Sequence, residues 1–332
     1  MKNKRIAIVG ATGRVGREIL SILCEMGISL KNISAIASKR SEGKVIEYGS
    51  DLITVQNLEK VNFSKYDLCL FSAGAQISEK YAPIASGQGA IVIDNTSCFR
   101  MNNDIPLIVP EVNLEDLKAY DSKIISNPNC STIQMVMVLK PLHDEFKLTD
   151  VIVSTYQSVS GAGQKGVDEL VLQMKQIFDK KEVIPKHFKT QIAFNLIPQI
   201  DEFTDDNYTK EEMKMMNETK KILKLPNLNI TATCVRAPVI VGHAISVFAK
   251  FKEEINLKRV MEVLNGFNGV TLVDDPKNYR FATPIDAASK NDVFVSRMRK
   301  HPTIDSSISF WCVADNIRKG AALNAIQIAK RV

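Results

Sequence analysis

Cys130 lies in the stretch "SNPNCSTIQMVMVLKPL", just after a proline and just before an apolar, helical run. Asn127 or Asn129 can cap that helix, which places Cys130 near its N-terminus. The positive end of a helix stabilises a thiolate and lowers the pKa of a cysteine, so the sulfur would be a nucleophile near neutral pH. A thiolate also needs a proton-transfer partner, and the chain has four histidines. His143 sits on the cysteine's own helix, several turns farther along, and His187 and His301 lie in polar stretches. His243 follows the β run "TCVRAPVIVG", with Arg236 in the same segment. The chemistry that these residue types allow is nucleophilic, covalent catalysis by Cys130 with His243 as its partner. The plainer reading of Cys130 is a thiol that fills a helix.

A second constellation stands at the start of the chain. "IAIVGATGRVGREIL" reads as a strand, a glycine-rich turn and a helix, with Gly10, Gly13 and Gly16 in a G-x-x-G-x-x-G spacing. Such glycines let the backbone approach a pyrophosphate, while the helix N-terminus offers free N–H groups and positive potential. The end of the next strand selects the nucleotide. An NAD site usually has an acidic residue there to accept from the ribose hydroxyls. Here "AIASKRSEGK" supplies Ser38, Lys39, Arg40 and Ser41 instead. Two hydroxyls and a guanidinium suit a 2′-phosphate, so NADP is favoured. Glu42 is the discordant residue, a carboxylate close enough to repel that phosphate or to accept from a ribose.

These groups are positioned by elements of two kinds. Through residue 125 or so, short β runs such as "RIAIVG", "NISAIAS", "YDLCLFSAG", "GAIVIDN" and "SKIIS" alternate with helical segments. That rhythm predicts a Rossmann-like parallel sheet covered by helices. After Cys130 come a helix, the long β run "TDVIVSTYQSVSG", a helix over 164–180 and another over 209–225. The last begins "TKEE", where Thr209 and Glu212 form a capping box. Further β runs, including "DVFVSRMRK" and "SISFWCVADN", predict an α+β domain with a mixed sheet, of the kind that carries a dimer interface. The expected division is an NADP-binding domain over 1–127, completed by an amphipathic helix over 317–332, and a catalytic and dimerisation domain over 128–316. Ser160, Gly161 and Gly163 form either a plain connection or a loop that closes over the nicotinamide and excludes water.

Composition removes several other functions. With 43 basic and 37 acidic residues the charge excess is mild and spread along the chain, which argues against nucleic-acid binding and fits a small anionic ligand. The six cysteines form no C-x-x-C pair, so a zinc site is not expected. No apolar run is long enough to span a bilayer, and the N-terminal apolar stretch is too brief for a secretion signal, so a cytoplasmic location is the expectation.

Ten short motifs in order give the chain a resemblance that runs nearly end to end. They are "GATGxVG" at 10–16, "SxRSxGK" at 38–44, "FSAG" at 71–74, "DNTSxFRM" at 94–101 and "VPEVN" at 109–113. They continue with "NPNCSTIQ" at 127–134, "YQSVSGAG" at 156–163, "EExK" at 211–214, "CVRxPVxxxH" at 234–243 and "DNxxKGAA" at 315–322. On these motifs the chain resembles the aspartate-β-semialdehyde dehydrogenase family, in its shorter bacterial form. The resemblance implies a reversible, NADPH-dependent reduction of L-4-aspartyl phosphate to L-aspartate 4-semialdehyde and phosphate, through a thioester on Cys130. It implies a place in lysine, threonine and methionine biosynthesis and a homodimer or homotetramer.

The resemblance also implies roles. Cys130 would be the nucleophile, His243 the acid/base and Gln157 the residue that orients the substrate. Arg236 would grip the substrate carboxylate and Glu211 its amino group. Arg100 and Lys214, helped by Asn129 and Ser97, would hold the phosphate. Gly10, Thr12, Gly13, Arg14, Val15, Gly16, Ser38, Arg40 and Ser41 would hold NADP, with Ser160, Gly161 and Asn316 near the nicotinamide. Glu211 and Lys214 share a helix face, so the plainer reading of that pair is a surface salt bridge. Two alternatives stay open: an N-acetyl-γ-glutamyl-phosphate reductase-like enzyme, which must accept an acylated amine, and a catalytically silent relative that only binds NADP.

Overall fold

The computed structural model describes residues 1–332 and divides them into two compact units, Met1–Asn129 with Ala321–Val332, and Cys130–Gly320. The boundaries thus fall a few residues beyond those expected, because Cys130 is the first residue of a helix of the second unit.

In the first unit the strands are β1 (Ile6–Val9), β2 (Ile33–Ala37), the hairpin β3 (Val45–Tyr48) and β4 (Asp51–Thr54), β5 (Gln56–Asn57), β6 (Leu68–Phe71), β7 (Ile91–Asp94) and β8 (Ile124–Ser126). The helices are α1 (Arg14–Glu25), α2 (Ala75–Gly87) and the single turn α3 (Pro110–Asn113). Six strands form a parallel sheet in the order β5-β2-β1-β6-β7-β8. The four residues of β1 are all buried, as a strand covered on both faces must be. Ile6 and Ile8 pack on one face with Ile19 and Leu23 of α1, and Ala7 and Val9 on the other with Ala82 and Ala85 of α2. The C-terminal segment, over Leu323–Ala329, joins the first of these clusters through Ile326 and Ile328.

The second unit begins with α4 (Cys130–Phe146), in which every residue from Ser131 to Leu139 is buried. Such a helix is covered all round, which explains the weak amphipathicity of "STIQMVMVL". It is followed by β9 (Leu148–Gln157), α5 (Gln164–Phe178), α6 (Lys210–Leu223), β10 (Asn229–Arg236), β11 (His243–Phe251), α7 (Leu257–Asn265), β12 (Val270–Leu272), the ribbon β13 (Asp274–Asp275) and β14 (Arg280–Phe281), α8 (Pro284–Ala287), β15 (Val293–Lys300) and β16 (Ser307–Ala314). The sheet order is β10-β9-β11-β16-β15-β12. The β9/β10 and β12/β15 pairs are parallel and the other neighbours antiparallel, so the sheet is mixed. Burial alternates along β10, one face covered and one open. Helix α6 starts with the predicted capping box: Thr209 N–H donates to Glu212 Oε2 at 2.6 Å and Glu212 N–H to Thr209 Oγ1 at 3.3 Å. No helix is long and apolar enough to cross a membrane.

Candidate active site

In the first unit, Gly10 occupies the left-handed region with φ +94°, and a Cβ there would lie 2.4 Å from the Ser72 carbonyl oxygen. Only glycine fits. A Cβ on Gly16 would lie 2.3 Å from the Gly10 carbonyl oxygen, so this residue keeps α1 close to the turn rather than contacting a ligand. Helix α1 opens at Gly13 with no side-chain cap, and its N-terminus, with its positive potential, lies at this turn. Gly10, Thr12, Gly13, Ser38 and Arg40 line one cleft of about 380 Å³, together with Ser72, Leu58, Ile77 and Tyr81. Arg14, Val15 and Gly16 lie behind it in α1 and Ser41 is buried beside it. Glu42 does not line the cleft. Its carboxylate accepts from Lys60 Nζ at 2.7 Å and Asn57 Nδ2 at 3.1 Å, and the Lys60 bond holds its pKa below the usual range. The expected repulsion of a 2′-phosphate therefore has a local answer in Lys60.

The same unit holds Ser97, Arg100 and Asn129. Arg100 is buried, its Nε donating to the Asn127 carbonyl at 2.9 Å and Nη2 to that of Asn95 at 2.8 Å. Asp94 braces the intervening loop by accepting from Ser78 Oγ, Thr96 Oγ1 and Thr96 N–H, while burial pushes its carboxyl pKa up. The Asn127 side chain accepts from Asn324 Nδ2 at 2.7 Å and donates to the Ala321 carbonyl at 3.4 Å. Its side chain is thus bonded within the first unit.

In the second unit, strand register gathers the remaining residues at one rim of the mixed sheet. Arg236 ends β10 and pairs with Gln157, which ends the parallel β9. β11 runs the other way and begins there, so Ala244 faces Tyr156 and His243 faces Ala314, with Asn316 just beyond β16. Cys130 is the first residue of α4 and is partly exposed. Gln134, one turn on, donates to the His243 carbonyl at 3.2 Å and ties that helix to β11. Burial holds the pKa of the Arg236 guanidinium below its ordinary value, and its proximity to Glu211 and then to Cys130 opposes that. Cys69, Cys234 and Cys312 are buried, and burial raises each thiol, Cys69 to about 12. Cys98 is raised as well.

Gln157 Nε2 donates to Glu211 Oε1 at 3.3 Å, from the sheet to α6. Lys214 bridges Glu211 at 3.3 Å and Asp201 at 2.7 Å, so the pair on α6 does form a salt bridge. It differs from an ordinary surface pair because the Glu211 side chain is only 8% exposed. Arg236 Nη1 donates to the Ser158 carbonyl at 2.7 Å. His243 is fully buried, and burial first, then the charge of Arg236, holds its pKa well below the ordinary value. Gly161 packs against both: a Cβ there would lie 2.9 Å from Arg236 Nη1 and 3.2 Å from His243 Nε2.

The turn that carries Ser160 and Gly161 is pinned, with Val159 N–H on the Val239 carbonyl and Ser160 N–H on that of Ile240. Asn316 uses its amide inside the protein, accepting from Ser158 Oγ, Ser160 Oγ and Gly242 N–H and donating to Ser160 Oγ. His143, His187 and His301 lie elsewhere: His143 Nδ1 accepts from Leu148 N–H, His187 is exposed, and His301 accepts within its own turn. Sequence reasoning missed Ser158, Asp201 and Gly320. The first two are polar residues in ordinary-looking connections, and Gly320 would bring a Cβ within 2.8 Å of Cys130 Cβ. A hydroxyl immediately after the last residue of a long strand, as in "YQS", was the only available signal for Ser158.

Comparison with known proteins gives the same two divisions. Residues 5–120 match the model of the semialdehyde dehydrogenase NAD binding domain, and residues 139–319 that of the semialdehyde dehydrogenase dimerisation domain. The aspartate-semialdehyde dehydrogenase of Aquifex aeolicus is 49% identical over 98% of this chain and 97% of its own. That of Campylobacter jejuni is 48% identical over 99% and 97%. The crystal structure of aspartate semialdehyde dehydrogenase II from Vibrio cholerae, complexed with ASA, superposes with a TM-score of 0.96 at 45% identity, covering 99% of this chain and 98% of that one. With both domain models matched and full-length identity near one half, this chain belongs to the semialdehyde dehydrogenase family.

Proposed function

We propose that the protein is an NADP-dependent, phosphorylating aspartate-semialdehyde dehydrogenase that interconverts L-4-aspartyl phosphate and L-aspartate 4-semialdehyde. The observation that carries this reading is the meeting, at one sheet rim, of Gln157, Arg236 and His243 with Glu211 beside them. A carboxylate that faces into such a site suits a free ammonium, and a buried guanidinium suits a carboxylate, which together describe an α-amino acid. An acylated amine has no positive charge for Glu211 to meet, so the acetylglutamyl alternative is disfavoured.

NADP fits the first unit because Gly10, Gly13, Ser38 and Arg40 line the cleft while Glu42 is held by Lys60. When bound, the coenzyme supplies or accepts the hydride. In the reductive direction, Cys130 thiolate attacks the acyl carbon and forms the C–S bond. Phosphate departs with the C–O electron pair, and Arg100, Lys214, Asn129 and Ser97 are the groups assigned to hold it. After reduction of the thioester, the tetrahedral oxyanion re-forms a C=O bond and expels the thiolate. The buried donor groups around the rim stabilise that oxyanion. Arg236 holds the substrate carboxylate, Glu211 its ammonium, and Gln157 orients the carbonyl.

The assembly is a homodimer or homotetramer. Its support is the dimerisation domain and the apolar side chains left open on the second unit, Phe178, Ile184, Phe194 and Phe203, each more than half exposed. The cellular setting that suits this chemistry is cytoplasmic synthesis of lysine, threonine and methionine. The decisive assay is phosphate-dependent reduction of NADP by L-aspartate 4-semialdehyde, run beside Cys130→Ala. The variant is expected to lose turnover and keep NADP affinity. Absence of turnover by the unmodified protein would reject the reading, and substantial turnover by Cys130→Ala would reject the thioester.

A further inference from the structure

Asp201, in the connection between α5 and α6, occupies the left-handed backbone region with φ +70°, where Asn and Asp are more at home than other residues that carry a side chain. The turn around it is fixed on both sides. Ile197 exchanges main-chain hydrogen bonds with Arg236, its N–H donating at 3.0 Å and its carbonyl accepting at 2.8 Å. The Glu202 carbonyl accepts from the Lys210 N–H at 2.8 Å, where α6 begins. Within the turn, Asp201 Oδ1 accepts from the Glu202 N–H at 3.0 Å and the Asp201 carbonyl from Gln199 Nε2 at 3.1 Å. Its other carboxylate oxygen reaches α6 and accepts from Lys214 Nζ at 2.7 Å.

Lys214 therefore stands between two carboxylates, 2.7 Å from Asp201 Oδ2 and 3.3 Å from Glu211 Oε2. Glu211 and Lys214 are neighbours on one helix face, and by themselves they would close into an ion pair. A carboxylate neutralised in that way has little attraction for the ammonium of a ligand. Asp201, at the shorter distance, draws the lysine the other way. Lys210 does not upset this balance, because its own ammonium is paired with Glu202 at 2.6 Å. The charges of Arg236, Lys214, Glu211 and Asp201 then match, two of each sign. Such a set leaves one cation and one anion to meet a zwitterionic head group, while Lys214 is answered by Asp201.

We propose that Asp201 is a positioning residue that holds Lys214 off Glu211, leaves the Glu211 charge to the substrate ammonium and so sets the preference for aminated over des-amino semialdehydes. This rests on the reading of Glu211 as the ammonium partner. In Asp201→Asn the amide keeps the shape and suits the left-handed backbone, but the charge is gone and the lysine closes on Glu211. Phosphate is common to both classes of substrate, so any contribution it makes through Lys214 cancels in their ratio. The Asp201 side chain is 36% exposed, so water and salt screen its charge and the effect is moderate.

The test compares kcat/KM for L-aspartate 4-semialdehyde with kcat/KM for succinate semialdehyde, which lacks the ammonium, in the full-length enzyme. The preference of the parent should fall about fivefold in Asp201→Asn. Adding Lys214→Gln to that variant should restore most of the preference, because the competing cation is then gone. A merely structural defect would not be repaired by a second substitution. A folded Asp201→Asn with the parent's ratio, or a double variant no better than the single one, overturns the proposal. Asp201→Gly, for which φ +70° holds no strain, replaces the asparagine variant should that one not fold. A parent that uses both semialdehydes equally rejects Glu211 as the ammonium partner, and the proposal with it. A crystal structure of Asp201→Asn gives a readout that needs no substrate: Lys214 Nζ to Glu211 Oε2 should shorten from 3.3 Å to about 2.8 Å. An unchanged separation also overturns the proposal. Failure of the parent to turn over either semialdehyde would reject the functional reading, and that separation would then decide whether Asp201 holds the lysine.

Discussion

Gly320→Ala tests whether the position of one sulfur governs the rate. A methyl group built on Gly320 would sit 2.8 Å from Cys130 Cβ and 3.3 Å from Cys130 Cα, with the Asp315 carbonyl oxygen 3.5 Å away. Carbon atoms in comfortable contact are about 3.5–4.0 Å apart, so the closest pair falls short by roughly 0.7 Å. Neither side yields easily. Cys130 begins α4, whose next nine residues are all buried, and Gly320 N–H is bonded to the Asp315 carbonyl at 2.9 Å. Shared between the two, the displacement moves the Cys130 Cβ by a few tenths of an ångström. A misplacement near 1 Å costs on the order of 100-fold in rate, so over a few tenths of an ångström kcat should fall about 3- to 10-fold. In energy that is about 0.7–1.4 kcal/mol of transition-state stabilisation. Steady-state kinetics with semialdehyde, phosphate and NADP measures it, and alkylation of Cys130 by iodoacetamide should slow in parallel. Gly266→Ala is the control, because its methyl would meet nothing closer than 3.5 Å. A folded Gly320→Ala with kcat within about twofold of the parent would refute the claim that this glycine sets the thiol.

Three other outcomes are expected. Gly161→Ala pushes on Arg236 Nη1 from 2.9 Å and should raise KM for the semialdehyde about tenfold or more, the worth of one charge-assisted hydrogen bond; an unchanged KM removes Arg236 as the carboxylate anchor. Arg40→Ala should weaken NADP about tenfold more than NAD, measured by fluorescence titration, and equal losses would show that Arg40 does not read the 2′-phosphate. Stability should depend on pH through His243, whose folded pKa burial lowers well below 6.5. The unfolded chain then binds the extra proton, so stability is complete above about pH 6.5 and declines as pH falls, by up to ~1.4 kcal/mol per unit. His143 shifts the same way with a smaller weight because it is half-exposed. Urea unfolding at about pH 7 and 5.5 checks this, and an equal decline in His243→Gln would exclude the imidazole as its source.

The sequence made some of this legible because the signals are local. A glycine turn between a strand and a helix, a Thr-x-x-Glu before a helix, and alternating burial in "NITATCVR" each depend on neighbours in the chain. The C-terminal helix was assigned to the first unit from its apolar stripe. What escaped depends on contacts between distant residues. Asn316 reads as a cofactor ligand by resemblance, yet its amide meets Ser158, a residue 158 positions earlier, and only strand register brings them together. Glu42 looked adverse because its partner Lys60 arrives from beyond three further strands. The hydrogen bond from Asn324 to the Asn127 side chain likewise joins residues far apart in the chain.

The participation of Ala321–Val332 in the first unit has a consequence for biogenesis. While residues 1–129 leave the ribosome, the apolar face made by Ile6, Ile8, Ile19 and Leu23 lacks Ile326 and Ile328, which follow the whole of the second unit. Nearly two hundred residues of the catalytic unit must be translated in between, so that unit is free to fold first, reversing the customary N-to-C order. Nascent nucleotide-binding segments therefore spend the whole of that interval with an unfinished core, and a ribosome-bound holdase is the natural company for them.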